Sequence, residues 1–444
     1  MINADNSSLI INAMNEQTAD LLQFLDESPC NFLAVKNIRT RLEALGFREL
    51  NMADAWVVEP GGRYFVVKNH SAIFAFVVGH GKPSDGFRII CAHSDSPGFR
   101  VKPSCEMVCS GNVLKLNTEV YGGPILYTWF DRPLSLSGRV MLRGKSPLAP
   151  VTRLVNFKRP LLTIPHLAIH FNRAVNEGNP LSKQRDMLPV MAVLNDKAEA
   201  QNYILNLLAR ELGVDTSDLL DYDLSLYDTT PACLFGADDE FISSGRIDDL
   251  EMTHAALTAL TAASGSVQKM TRVMAIFDNE ETGSGTKQGA ASPILRNILE
   301  RVNLALGGDV ETMCRAVANS FMISADNGHA IHPNYESKQD PTNHPVPGGG
   351  PVIKINANCK YMTDAESAAV FRVICEEAGV PVQMFVNHSD VAGGSTLGNI
   401  LTSQLPLRGV DMGAPQWAMH SCRETAAVAD HLYTIAAFTR FYTC

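Results

Sequence analysis

Three short apolar runs each stop at a residue that can bind a metal or move a proton, and this pattern constrains the fold more than any other feature of the chain. Val273-Met274-Ala275-Ile276-Phe277 stops at Asp278-Asn279-Glu280-Glu281, Ile89-Ile90-Cys91-Ala92 at His93-Ser94-Asp95, and Phe321-Met322-Ile323-Ser324-Ala325 at Asp326. Apolar runs of this length read as buried strands. From about Cys233 onward such strands alternate with helical patterns, as in an open sheet covered by helices on both faces. Ligand-type residues at the strand ends then fall along one edge of the sheet, where such folds bind substrates.

The rest of the chain changes character twice. Helical spacing runs from Gln17 to Phe47, followed by short strands near Tyr64–Val67, Ala72–Val78 and Phe87–Cys91. After Pro97 strands dominate: Asn112–Leu116, Leu134–Leu142, Leu161–Ile169 and Asp223–Tyr227, with one helix over Ala198–Leu212. The expected class is α/β, an open mixed sheet flanked by helices. Residues 1–96 and 233–444 build that domain, and a mostly β insert over residues 97–232 interrupts it.

Two more segments supply donors. Gly245-Arg246-Ile247-Asp248-Asp249 precedes the helical pattern Leu250–Ala263, so Asp248 lies in a turn at a helix start, ordinarily the place of an N-cap. Met419-His420 precedes Ser421-Cys422-Arg423-Glu424, a capping-box spacing that predicts a long helix from Cys422 to about Tyr442. In the His93-x-Asp95 triplet the carboxylate can orient the imidazole, as metal-binding histidines require. Each feature alone has a plain structural reading: a solvated acidic pair, a core histidine, a capped helix. Together, His93, Asp248, Glu281, Asp326 and His420 offer too many nitrogen and oxygen donors for one tetrahedral zinc, while two ions share them comfortably. No thiolate joins them, which excludes a cysteine-rich structural zinc site.

Composition narrows the remaining classes. The 37 basic and 47 acidic residues give a net charge of −10, so no broad positive footprint for nucleic acid is expected. No apolar stretch approaches the roughly 20 residues of a membrane span. The amino terminus shows no basic region followed by an apolar one, and the ten cysteines include no Cys-x-x-Cys pair. A cytoplasmic location is the expectation.

Over nearly its whole length the chain resembles the aspartyl aminopeptidases, a family of two-zinc enzymes that assemble as tetrahedral dodecamers. The segments that carry the resemblance include Ala92-His93-Ser94-Asp95-Ser96-Pro97, Thr128-Trp129-Phe130-Asp131-Arg132, Ile164-Pro165-His166-Leu167-Ala168-Ile169-His170 and Arg246-Ile247-Asp248. They continue through Asp278 to Ser284, Ser324-Ala325-Asp326, His332-Pro333-Asn334-Tyr335, Gly350 to Lys354, and Met419-His420-Ser421. The resemblance implies a zinc-peptidase sheet, a dimerisation role for the β insert, and peptides with a free amino terminus as substrates. It implies two Zn2+ per subunit, with cobalt or manganese as workable replacements. Asp248 would bridge, His93 and Asp326 would hold one ion, and Glu281 and His420 the other. Glu280 would be the general base, Asp95 a further catalytic residue, and His170 would reach the active site of a neighbouring subunit. Lys354, with His332 and Tyr361, would meet the substrate, whose first residue would be acidic. One departure bears on that preference: after Asp390 the family pattern carries Pro-Cys where this chain has Ala392-Gly393. An N-acyl amino acid deacylase would use the same ligands, and a non-catalytic assembly protein would keep only the shell. A glucanase-like hydrolase would work its carboxylate pair without metal.

Overall fold

The structure, a computed structural model, describes residues 4–444, with side chains from Glu16 onward. The chain divides into two units: Met1–Asp95 with Ala232–Met419 and Glu424–Cys444, and Ser96–Pro231 with His420–Arg423.

The first unit is built on a nine-stranded sheet. Across it the strands run Arg48–Glu49, Arg63–Lys68, Ala72–Val77, Thr271–Phe277, Phe87–His93, Phe321–Ala325, Arg408–Gly413, Val352–Ile355 and Gln383–Val386. Phe87–His93 is central and pairs in parallel with Thr271–Phe277 and Phe321–Ala325. Antiparallel pairs lie further out, so the sheet is mixed, as expected. Successive side chains leave a strand on opposite faces, and both faces are filled. Ile90, Ala92, Met274 and Ile276 join one core with the helices Asn31–Ala44, Ile247–Ala263 and Val428–Tyr442. Ile89, Cys91, Val273, Ala275 and Phe277 join the other, against Ile294–Ala305. Burying each such Ile or Phe stabilises the fold by about 1.5–3 kcal/mol, which is why the middles of these strands are apolar. A smaller five-stranded sheet contains Cys233–Phe235, Phe241–Ser244, Glu424–Ala427, Pro415–Trp417 and Gly328–His329.

The second unit is a six-stranded antiparallel sheet whose core combines Phe99, Leu136 and Leu224 with Ile204 and Leu208 of the helix Tyr203–Leu212. No helix among the described residues is long and apolar enough to cross a membrane.

Three sequence expectations fail locally. The final helix begins at Val428, not Cys422, because Glu424–Ala427 pairs with Phe241–Ser244 as a strand and buried Glu424 turns inward, away from a capping role. Leu161–Ile169 forms isolated bridges at Leu162, Thr163 and Ile164; Pro165 lacks the N–H a ladder needs, and His170 sits on a 3-10 turn, Ile169–Phe171. His166 and His170 therefore do not share a strand face. The helix expected over Ala198–Leu212 divides into a 3-10 turn, Lys197–Ala200, and Tyr203–Leu212, because Asn202 takes a left-handed conformation. The helical spacing of Gln17–Phe47 corresponds to two helices, Ala4–Glu27 and Asn31–Ala44, as expected.

Candidate active site

The parallel pairing of the three central strands sets the site. Phe277 lies opposite His93, and Ser324 opposite Cys91, so all three strands end at the same edge. Beyond Phe277, Asn279 adopts φ +62°, a left-handed turn that asparagine tolerates, and Glu280–Thr282 form a 3-10 turn. The Asp95 carboxylate anchors that turn, accepting from Glu280 N at 3.1 Å and Glu281 N at 3.2 Å. Asp326 reaches the edge because Gly413 runs beside it; a Cβ there would collide with the Asp326 carbonyl.

Asp248 comes from the helix Ile247–Ala263, where it and Asp249 depart from helical geometry. It is not the N-cap, which is Arg246; its N–H donates to buried Glu424 at 3.0 Å instead. His93 Nε2 is 3.4 Å from Asp248 Oδ1. Its Nδ1 lies 3.1 Å from the Asp95 carbonyl and 3.4 Å from the Asp95 carboxylate. An Nδ1–H held by Asp95 leaves the Nε2 lone pair for a metal, the division of labour expected of a ligating histidine. Donor atoms of His93, Glu280 and Asp326 lie within 4.8 Å of one another, as do those of Asp248 and Glu281.

The charge balance of this edge is lopsided. Burial, with the Asp326 carboxylate nearby, pushes Glu280 up to about 8. Burial, with Asp248 next, holds Glu281 well above the ordinary carboxylate range. Burial alone would keep His93 neutral, but Asp249, Asp248 and Asp95 together raise it. Lys354 supplies a cation: its Nζ donates to Asp326 Oδ1 at 2.7 Å and to the Asn327 carbonyl at 2.9 Å. Burial opposes the Lys354 charge, yet Asp326 more than restores it. Carboxylates crowded in a dry site are stabilised by divalent cations, and the all-nitrogen-and-oxygen donor set suits zinc.

Tyr361 is buried beside Lys354, whose Nζ is 5.8 Å from its ring centroid. His332 is exposed, its ring tilted 50° against Tyr335 at 5.0 Å. His420 belongs to the second unit, with Nδ1 3.1 Å from the Gly123 carbonyl oxygen. His170 is exposed in that unit, flanked by Ile169 and Phe171, which are 52% and 81% exposed. Sequence reasoning missed Asp249, which receives the His93 N–H at 3.0 Å, and Glu424, which receives the Asp248 N–H. The available signal for Asp249 was a second acid immediately before an apolar helix; Glu424 carried none, because its partner is 176 residues away.

Comparisons with known proteins converge. Residues 24–442 match the family described as aminopeptidase I zinc metalloprotease (M18). The chain is 50% identical over 424 residues to a probable M18 family aminopeptidase 2 of Clostridium novyi, covering 95% of this chain and 98% of the relative. It is 44% identical over 431 residues to a protein of the same description from Pseudomonas aeruginosa, covering 96% and 98%. Among solved structures, Ape4 from its complex with Nbr1 superposes with a TM-score of 0.93 at 36% identity, covering 97% of this chain and 86% of that one. A subunit of the S. cerevisiae mApe1 dodecamer gives 0.84 at 25% identity, with 97% of each chain covered. A buried nitrogen and oxygen donor cluster at the edge of an α/β sheet thus meets a family match across almost the whole chain, and the chain belongs to the M18 family of zinc metallo-aminopeptidases.

Proposed function

We propose that this aminopeptidase removes acidic first residues from peptides, using two zinc ions per subunit within a homododecamer. The observation that carries the two-ion reading is the excess of carboxylates at the sheet edge, which a single cation would leave poorly compensated. His93 and Asp326 would hold one ion and Glu281 and His420 the other, with Asp248 between them; His420 enters on family resemblance. When bound, the ions would lower the pKa of water and polarise the scissile carbonyl.

The chain's own groups carry the rest. Glu280 takes a proton from the attacking water and returns it to the leaving amine. Its position fits that exchange, because a Glu280 oxygen lies within 4.8 Å of the donors on His93 and Asp326. Asp95 keeps Glu280 in position through the two backbone hydrogen bonds of the turn. His170 of a neighbouring subunit would stabilise the developing oxyanion. The solved dodecamer of S. cerevisiae mApe1 supports self-association of this kind. Exhaustive chelation should abolish hydrolysis, and zinc titrated back should restore it with a stoichiometry near two per subunit. Restoration complete at one ion would remove the second site.

Selectivity rests on Lys354, with Tyr361 and His332 as further substrate contacts. Lys354→Met should weaken cleavage of Glu- and Asp-terminated substrates far more than Leu- or Ala-terminated ones, since the charge contributes most where the substrate brings its counterpart. The lysine also neutralises Asp326, which makes the control informative. Equal losses in kcat/KM on all four substrates would mean that Lys354 only supports Asp326, and acidic selectivity would be withdrawn. If wild type already accepts neutral residues equally well, the Ala392-Gly393 departure has widened the pocket.

A further inference from the structure

The first unit buries a line of polar side chains that the proposed chemistry does not use. Asp20, partly exposed, accepts from Arg41 Nη1 at 2.8 Å and lies 2.9 Å from His254 Nε2. His254 Nδ1 is 3.0 Å from His431 Nε2, and His431 Nδ1 is 3.7 Å from Glu251 Oε1. Glu251 Oε2 accepts from Asn327 Nδ2 at 2.6 Å. The Asn327 carbonyl in turn accepts from Lys354 Nζ, which holds Asp326. His254, His431 and Glu251 are all at most 1% exposed.

The hydrogens along this line follow from its outer end. His254 and Arg41 hold the Asp20 carboxyl well below the usual range, so Asp20 is ionised and His254 Nε2 donates to it. Burial keeps His254 neutral, so its Nδ1 is a lone pair that accepts from His431 Nε2–H. Burial, and His254 beside it, keep His431 neutral too, which leaves a bare Nδ1 facing Glu251 Oε1. Neither of those two buried atoms has a hydrogen-bond partner. A nitrogen lone pair and a carboxylate oxygen face to face in a dry interior repel unless one hydrogen lies between them. The other charged groups around Glu251 point the same way. Asp430, tied to Gly348 N and Gly350 N at 2.7 Å each, joins Glu424 in adding negative field.

We propose that Glu251 is a proton-carrying positioning residue: protonated, it turns its O–H toward His431 Nδ1, 3.7 Å away, while its other oxygen fixes Asn327 and, through Lys354, the orientation of Asp326. Only the last link rests on Asp326 being a metal ligand. Burial raises the Glu251 carboxyl from its ordinary 4.5 to about 8. The folded chain therefore holds one more proton than the unfolded chain between those values, and its stability falls as pH rises through that window. Asp430, raised by burial to about 7, titrates in the same range, so the comparison must isolate Glu251.

Glu251→Gln does so, because its amide can donate to His431 and its carbonyl can accept from Asn327 at every pH. The thermal midpoint of Glu251→Gln should gain on wild type from pH 5 to pH 9, by at least about 2 °C. Wild type should also show the infrared carbonyl band of a buried protonated carboxyl that the variant lacks. Parallel midpoints and no such band would mean an ionised Glu251 and would overturn the proposal. Neither readout uses catalysis, so both stand or fall separately from the peptidase reading. The link to Asp326 is read by zinc retention: Glu251→Leu should weaken zinc affinity about 10–100-fold, as loss of a ligand's supporting partner does, while Glu251→Gln should match wild type. Should Glu251→Leu fail to fold, Asn327→Ala reads the same link. Wild-type zinc affinity in the folded variant would remove it.

Discussion

Glu280→Gln is expected to retain zinc at the wild-type level and lose about 10²–10⁴-fold in turnover, the effect of deleting a general base. The amide preserves the shape of the side chain and leaves the turn intact, since Asp95 holds that turn through backbone N–H groups. What it removes is the carboxylate oxygen that accepts the proton of the attacking water. Asp248→Ala makes the contrasting case. It deletes a buried carboxylate 3.4 Å from His93 and close to Glu281, so it should lose metal and activity together. Metal analysis by mass spectrometry beside kcat separates the two variants. A real alternative exists, because a Glu280 oxygen lies within 4.8 Å of donors on His93 and Asp326. Loss of zinc from Glu280→Gln would make Glu280 a ligand and reassign the base.

The second large effect is expected at His170. Replacing it with Phe should leave zinc content and assembly unchanged, because its own unit leaves the side chain exposed and the turn carrying it uses backbone hydrogen bonds. Activity should nonetheless fall strongly, by about 10²–10³-fold if an oxyanion donor is lost. Mixing supplies the sharper reading. Inactive Glu280→Gln subunits combined with inactive His170→Phe subunits should recover activity, since an intact histidine can then serve an intact zinc site on another chain. Verified subunit exchange without recovery would confine His170 to its own subunit and end the shared-site reading.

The general shape of the site was legible because the strands that carry it are buried on both faces. Ile89–Ala92, Val273–Phe277 and Phe321–Ile323 are apolar throughout, so the first ligand-type residue after each marks where the strand leaves the core. Asp248 was legible as a turn residue before a helix, although the turn is not the cap that its position suggested. Turn and edge segments were less legible. Ser421 to Glu424 has the spacing of a capping box, yet Glu424 instead meets Asp248 and its neighbours pair as a strand. A tertiary partner outweighed a local preference worth about 1 kcal/mol. Leu161–Ile169 looked like a strand by its apolar content, but a ladder also needs a continuous N–H row, which Pro165 breaks.

By itself, then, the sequence determined the layered α/β plan and the chemistry of the strand ends, since burial periodicity and ligand type are properties of residues near one another in the chain. Only the tertiary structure decided which distant groups meet: Asp249 under His93, Glu424 under Asp248, Lys354 on Asp326, and the line from Asp20 to Glu251. Those contacts join residues up to 234 positions apart. Their strength comes from a dry, shared interior that no local pattern encodes.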